Sequence, residues 1–218
     1  MIGLKLEFWL DYLSPVCYKQ HQAIELLFKK YKFNDLELLY RSYEMIPKFE
    51  PLEDCTFYRI LANHHVLTLE ETKEMFDNIP TDIKPVKVTD VHRLSHLAKK
   101  SEKAFEFNQM VFKYFYELKK DISNPVVLME ISSKVGLNPK EVEYVLTSNR
   151  YQESVELNRE NAILKGIFEV PHIRIDGKII LKNYHTDEQI FDALNKVTIT
   201  YSKTGYCEGE NCERKKTR

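Results

Sequence analysis

The sequence predicts an α/β domain whose sheet is split by a long all-helical insertion, and three patterns predict it. Period-two alternation of side chains opens the chain and returns over residues 36–41. Helical spacing then runs from about residue 55 to residue 165. An Asp-Gly pair between two short apolar runs marks a hairpin near residue 176, followed by one more helix. The order is therefore β-α-β, a helical block, then β-β-α. A helical block between two parts of one sheet has to loop out, so that the flanking segments close the sheet together.

Leu4, Leu6, Phe8 and Leu10 alternate with Lys5, Glu7 and Trp9, which makes the first strand. Ser14 suits a helix N-cap and Pro15 the first helical turn, where a missing N–H costs nothing. Ile24, Leu27, Phe28 and Tyr31 continue that helix, and Leu36, Leu38 and Tyr40 begin the second strand. Within the block, Thr68 to Glu71 fits a capping box, and Ala104 to Leu118 traces one face of a long helix. Asn124-Pro125 and Asn138-Pro139 start two more helices, Gly136 ends the first of them, and a further helix runs from Tyr151 to Gly166. His172 to Ile175 and Lys178 to Leu181 flank Asp176-Gly177 as a hairpin, and Thr186 to Gln189 is a second capping box. This is the order of a thioredoxin-like fold with an inserted helical domain. Residues 1–54 and 166–200 form the discontinuous thioredoxin-like domain, 55–165 the insertion, and 201–218 a C-terminal tail.

Composition narrows the function. A chain of 218 residues with 43% hydrophobic and 30% charged side chains has the make-up of an ordinary globular protein. Its 32 basic and 33 acidic side chains leave no footprint for nucleic acid or an anionic membrane. The basic run Arg214 to Arg218 is short and reads as a solvated tail. Lys5 and Glu7 interrupt the opening apolar run, against a signal peptide or membrane span, so a cytoplasmic protein is expected. In a reducing cytosol the four cysteines, Cys17, Cys55, Cys207 and Cys212, point to catalysis, redox sensing or metal rather than structural staples.

Three motifs bear chemistry. The first is Ser14-Pro15-Val16-Cys17 at the junction of strand and helix. A thiol in a first helical turn faces unpaired N–H groups and the positive end of the macrodipole, which favour the reactive thiolate. The bland alternative is a small buried hydrophobe behind an ordinary Ser-Pro helix start. The second is Val170-Pro171 before the hairpin. A trans strand-entry proline is the default, whereas a cis bond facing the Cys17 turn would offer Val170's backbone to an extended thiol substrate. The third is Cys207 to Cys212, two cysteines with Gly209 between them. They fit a small disulfide loop, half of a zinc site, or two unrelated thiols. Cys55 lies among acidic residues that disfavour a thiolate and reads as structural. His92 and His96 share a helix face, yet no glutamate base accompanies them, so they read as ordinary helix histidines or as a partner of Arg93 in an interdomain network. Phe112, Phe115 and Tyr116 read as core, and no metal site is expected.

The segment Asp11 to Tyr18 resembles the active-site region of the DsbA family of thiol–disulfide oxidoreductases, and within it the FrnE-like proteins, whose motif is Asp-x-x-Cys-Pro-Trp-Cys-Tyr or a near relative. Asp90 to Leu94, Asp121 to Asn124, Leu137 to Tyr151 and Gly166 to Pro171 are similar too, so the likeness spans about residues 4–196. Some FrnE-like members also carry a C-terminal Cys-x4-Cys, which Cys207 and Cys212 match. The departure is Ser14, which stands where the family has its first cysteine. Dithiol cycling at one motif needs both sulfurs. Asp-x-Leu-Ser-Pro also resembles the start of kappa-class glutathione transferases and 2-hydroxychromene-2-carboxylate isomerases, where a serine helps hold or activate a glutathione thiol.

The resemblance implies a protein disulfide oxidoreductase or isomerase with Ser14, Cys17, Cys207 and Cys212 as its catalytic set and Pro15, Val170 and Pro171 binding substrate. It implies no required cofactor, glutathione as a co-substrate, and a thiol- or disulfide-containing protein as partner. Two alternatives accompany it: a glutathione-dependent transferase or isomerase using Ser14, and a non-enzymatic peptide-binding adaptor that docks an extended segment by strand addition.

Overall fold

The computed structural model describes residues 3–50, 55–76, 79–197 and 201–204. Strand β1 (Leu4–Leu10) leads into helix α1 (Pro15–Lys30), the short β2 (Tyr31–Phe33) and β3 (Leu36–Ser42). The helical block holds α2 (Phe57–His65), α3 (Leu69–Met75), α4 (Thr89–Lys100), α5 (Ala104–Phe112), a π-helical turn (Lys113–Glu117), α6 (Pro125–Lys134), α7 (Pro139–Thr147) and α8 (Gln152–Leu164). The chain returns through β4 (His172–Ile175) and β5 (Ile179–Lys182) to α9 (Asp187–Leu194) and β6 (Tyr201–Lys203).

Four strands form one sheet in the order β3-β1-β4-β5, with β1 parallel to β3 and antiparallel to β4. The two halves of the chain therefore meet inside one sheet, and the insertion leaves after β3 and returns before β4. Leu6, Phe8 and Leu10 are buried on one face of β1, and Trp9 is buried on the other. Simple alternation predicts a half-exposed strand. β1 is central instead, so both of its faces are covered.

Local signals place the caps. Ser14, Asn124 and Asn138 cap α1, α6 and α7 through their side chains, each with proline just inside the helix. Thr68 and Thr186 both form complete capping boxes. Gly136, Gly166 and Gly177 take the left-handed backbone that their positions require.

Four differences from the sequence expectation have physical causes. The helix expected over Ala104 to Leu118 changes to a π turn at Lys113. That wider turn brings three consecutive aromatics, Tyr114, Phe115 and Tyr116, inward together. The hairpin strand β5 starts at Ile179, one residue late, because Asp176, Gly177 and Lys178 make the turn. The segment expected as a tail from residue 201 opens with β6, which pairs antiparallel with β2. Tyr31 continued the apolar helix pattern, yet it starts β2 and stacks on Phe191 of α9 at 4.1 Å.

Candidate active site

β1 delivers Asp11 to Ser14 to the N-terminus of α1, and the family-like motif is assembled there. Asp11 is fully buried and accepts hydrogen bonds from the backbone N–H groups of Leu13 at 2.9 Å and Met45 at 2.6 Å. His92 of α4 places Nε2 3.6 Å from the same carboxylate. One carboxylate thus ties the turn before α1, the segment after β3 and the inserted domain. Asp11→Ala is expected to cost about 3 kcal/mol, since two buried N–H groups lose a charged acceptor. Urea denaturation would measure it.

Ser14 accepts from the Cys17 N–H at 3.2 Å and is itself 0% exposed. Cys17 is 0% exposed as well. Burial pushes its thiol up to about 12, although Ser14 and the Asp11 backbone both oppose that rise. Of the two readings of Cys17, its full enclosure fits the small buried side chain: desolvation raises the thiol's pKa, against the pull of the helix terminus toward a thiolate. Neither catalytic candidate on α1 meets solvent.

What does meet solvent is a groove of about 560 Å³ beside that turn. Pro15 and Val16 line it from the start of α1, Tyr116 and Phe76 come from the insertion, and Asn183 and Tyr184 follow β5. Tyr18 stacks on Tyr116 at 4.9 Å and donates to Glu117 at 2.7 Å, which locks the π turn to α1. Lys19 places its ammonium 4.5 Å from the Tyr184 ring. Spacing along the sequence carries no signal for Val16, Phe76, Tyr116, Asn183 or Tyr184, because only the tertiary fold brings them together.

The Val170–Pro171 peptide is cis, and His172 just after it pairs with Trp9, so the proline sits by the end of β1. The expectation of an offered Val170 backbone is corrected by its surroundings. Val170 is 0% exposed and donates its N–H to His64 Nε2 at 3.3 Å. The Pro171 carbonyl accepts from the Asn183 N–H at 3.0 Å. Pro15 lines the groove directly, and Pro171 approaches it through Asn183.

Cys207 and Cys212 lie outside the described residues. Thr204, the last described residue before them, donates its N–H to the Lys30 carbonyl at 2.8 Å. The described chain therefore stops at the far end of α1 from Ser14, about 24 Å away for a helix of this length. Cys55 is half-buried. Among the described residues no cluster of histidine, cysteine and carboxylate side chains is arranged to hold a metal. His96 faces Ser42 and Asn158. Arg93 does not pair with either histidine. Its guanidinium donates to the carbonyls of Val145, Ser148 and Arg150 and to Asp90, closing the end of α7. No helix among the described residues is long and apolar enough to cross a membrane.

The fold is shared with known proteins. The family profile described as a DSBA-like thioredoxin domain matches residues 5–195. The uncharacterized protein YwbO of Bacillus subtilis is 24% identical over 148 residues, which cover 66% of this chain and 72% of YwbO. The crystal structure of the probable DsbA oxidoreductase SCO1869 of Streptomyces coelicolor superposes with a TM-score of 0.72 at 21% identity, covering 88% of this chain and 89% of that one. The structure of a 2-hydroxychromene-2-carboxylate isomerase superposes with a TM-score of 0.61 at 17% identity, covering 88% and 93%. At these identities the two structures establish a shared fold, that of DsbA-like thiol–disulfide oxidoreductases with an added helical region.

Proposed function

Because the chain belongs to the DSBA-like thioredoxin domain family, we propose that it is a thiol–disulfide oxidoreductase in which the α1 motif is redox-silent and Cys207 and Cys212 carry the exchange. The observation behind the proposal is the lack of a usable sulfur at the motif. Ser14 has none, and Cys17 is enclosed with its thiol pushed up to about 12. The groove beside Pro15 and Val16 then serves as the docking surface for an extended cysteine-containing peptide, whose cysteine reaches past the groove toward the end of α1 where the described chain stops at Thr204. The FrnE-like resemblance, with its C-terminal Cys-x4-Cys, supports the same assignment. A cytoplasmic setting would supply glutathione as co-substrate.

The chemistry balances as ordinary exchange. A substrate thiolate attacks the Cys207–Cys212 disulfide, and one tail sulfur leaves as thiolate. A second substrate thiolate then attacks the mixed disulfide and releases the other tail sulfur. Two electrons pass from substrate to tail, and oxidised glutathione regenerates the tail disulfide as it is reduced.

Oxidation of a dithiol peptide in glutathione buffer tests this. Replacing Cys207 and Cys212 together by serine is expected to slow it roughly tenfold or more, while Cys17→Ala stays within about twofold. The reverse pattern would return the chemistry to Cys17.

A further inference from the structure

We propose that the last turn of α2 is a latch over residues 168–170, in which His64 occupies the Val170 N–H until the carbonyl of an extended peptide takes its place. It rests on the docking half of the function proposed above. Three consecutive residues on the approach to Pro171 are each held by a side chain. Tyr43 donates its hydroxyl to the Phe168 carbonyl at 3.0 Å. His65 Nδ1 lies 3.5 Å from the Glu169 carboxylate. His64 Nε2 accepts from the Val170 N–H at 3.3 Å.

The last of these contacts stands apart. A buried peptide N–H needs an acceptor, and backbone carbonyls usually provide one. Here a half-buried side chain from the inserted domain provides it, and a side chain can swing away without breaking a strand ladder. Pro171 has no N–H, so Val170 is the donor through which an added strand would begin its pairing at this position.

The surroundings fit a displaceable acceptor. Burial and the neighbouring His65 hold His64 well below its ordinary range, at about 4, so its ring stays neutral and accepts near pH 7. Asp11 at the end of β1 pulls in the opposite direction, and Arg159 of α8 reinforces the depression. The Tyr43 ring meets His64 edge-on at 5.8 Å, and Glu169 acts through His65. Val66, which follows the turn, is 91% exposed in a left-handed conformation and makes little packing to hold the turn down.

The test uses the full chain and two readouts. The first is hydrogen exchange at the Val170 amide. The second is binding of insulin B chain with its cysteines carbamidomethylated, an extended peptide that cannot exchange thiols. In His64→Ala, Val170 exchange is expected to rise about tenfold and the peptide to bind about tenfold more tightly, the change carried by one ordinary hydrogen bond. His64→Gln, which retains an acceptor, should restore both toward wild type. Core amides such as Leu6 and Ile173 report whether either variant loosens the fold. Unchanged Val170 exchange in His64→Ala would overturn the latch, and so would faster exchange without tighter binding. If neither wild type nor variant binds the peptide at millimolar concentration, the docking half of the proposed function falls and the latch with it. Failure of the tail-cysteine variants alone leaves this binding result intact.

Discussion

Ser14→Cys is expected to convert the silent turn into a working dithiol. Ser14 and Cys17 stand three residues apart across the helix start, and the serine oxygen already contacts the Cys17 backbone. Positions with this spacing bring their Cβ atoms within about 5–6 Å, which a small adjustment closes to disulfide geometry. The introduced thiol would take the N-cap beside the orphan N–H groups, in the same enclosed turn as Cys17, so the helix terminus and burial act on it in opposite directions. In glutathione buffer the variant should form an intramolecular disulfide with Cys17. Its dithiol-peptide oxidation should exceed that of a tail-less background, in which Cys207 and Cys212 are serine, by roughly tenfold or more. An introduced thiol that stays reduced and inert would mean that the enclosure of this turn, rather than the missing sulfur, silences it.

Acid is expected to unfold the protein at a mild pH. Burial holds His64, His96 and His172 each at about 4, against an ordinary 6.5. Their neighbours reinforce it: His65 beside His64, His92 beside His96, and Lys182 and Arg174 beside His172. In the folded chain these rings bind fewer protons than in the unfolded chain across that interval. Their contribution is fully present above pH 6.5 and is lost as pH falls toward 4. After allowance for their partial exposure the total loss is on the order of 5 kcal/mol, comparable to the stability of a whole domain. Urea midpoints measured from pH 7 to pH 4 should fall steeply below pH 6.5. A flat profile would mean that these rings are not held neutral by the fold.

Much of the architecture was legible because it is written locally. Leu4 to Leu10, the caps at Ser14, Thr68, Asn124, Asn138 and Thr186, and the Asp176-Gly177 turn depend on residues within a few positions of one another. What was not legible depends on distant partners. Tyr31 fits a helical period and yet starts β2, because β6 and α9 arrive beside it from the other end of the chain. Cys17 has the first-turn position of a reactive thiol, but Tyr12, Leu13 and Tyr116 share the core that encloses it. The competition between helix terminus and desolvation cannot be settled from spacing. The groove over Pro15 and Val16 joins residues up to 169 positions apart, and the His64 contact to Val170 joins residues 106 apart.

The most direct test of the account is a thiol map. The wild-type chain would be equilibrated in glutathione buffers of defined ratio, alkylated, and read by peptide mass spectrometry. The expected result is a Cys207–Cys212 disulfide whose fraction follows the buffer, with Cys17 reduced, unglutathionylated and slow to alkylate until the chain is unfolded. Glutathione on Cys17 in the folded protein, or a tail pair that stays reduced across the whole range, would contradict it.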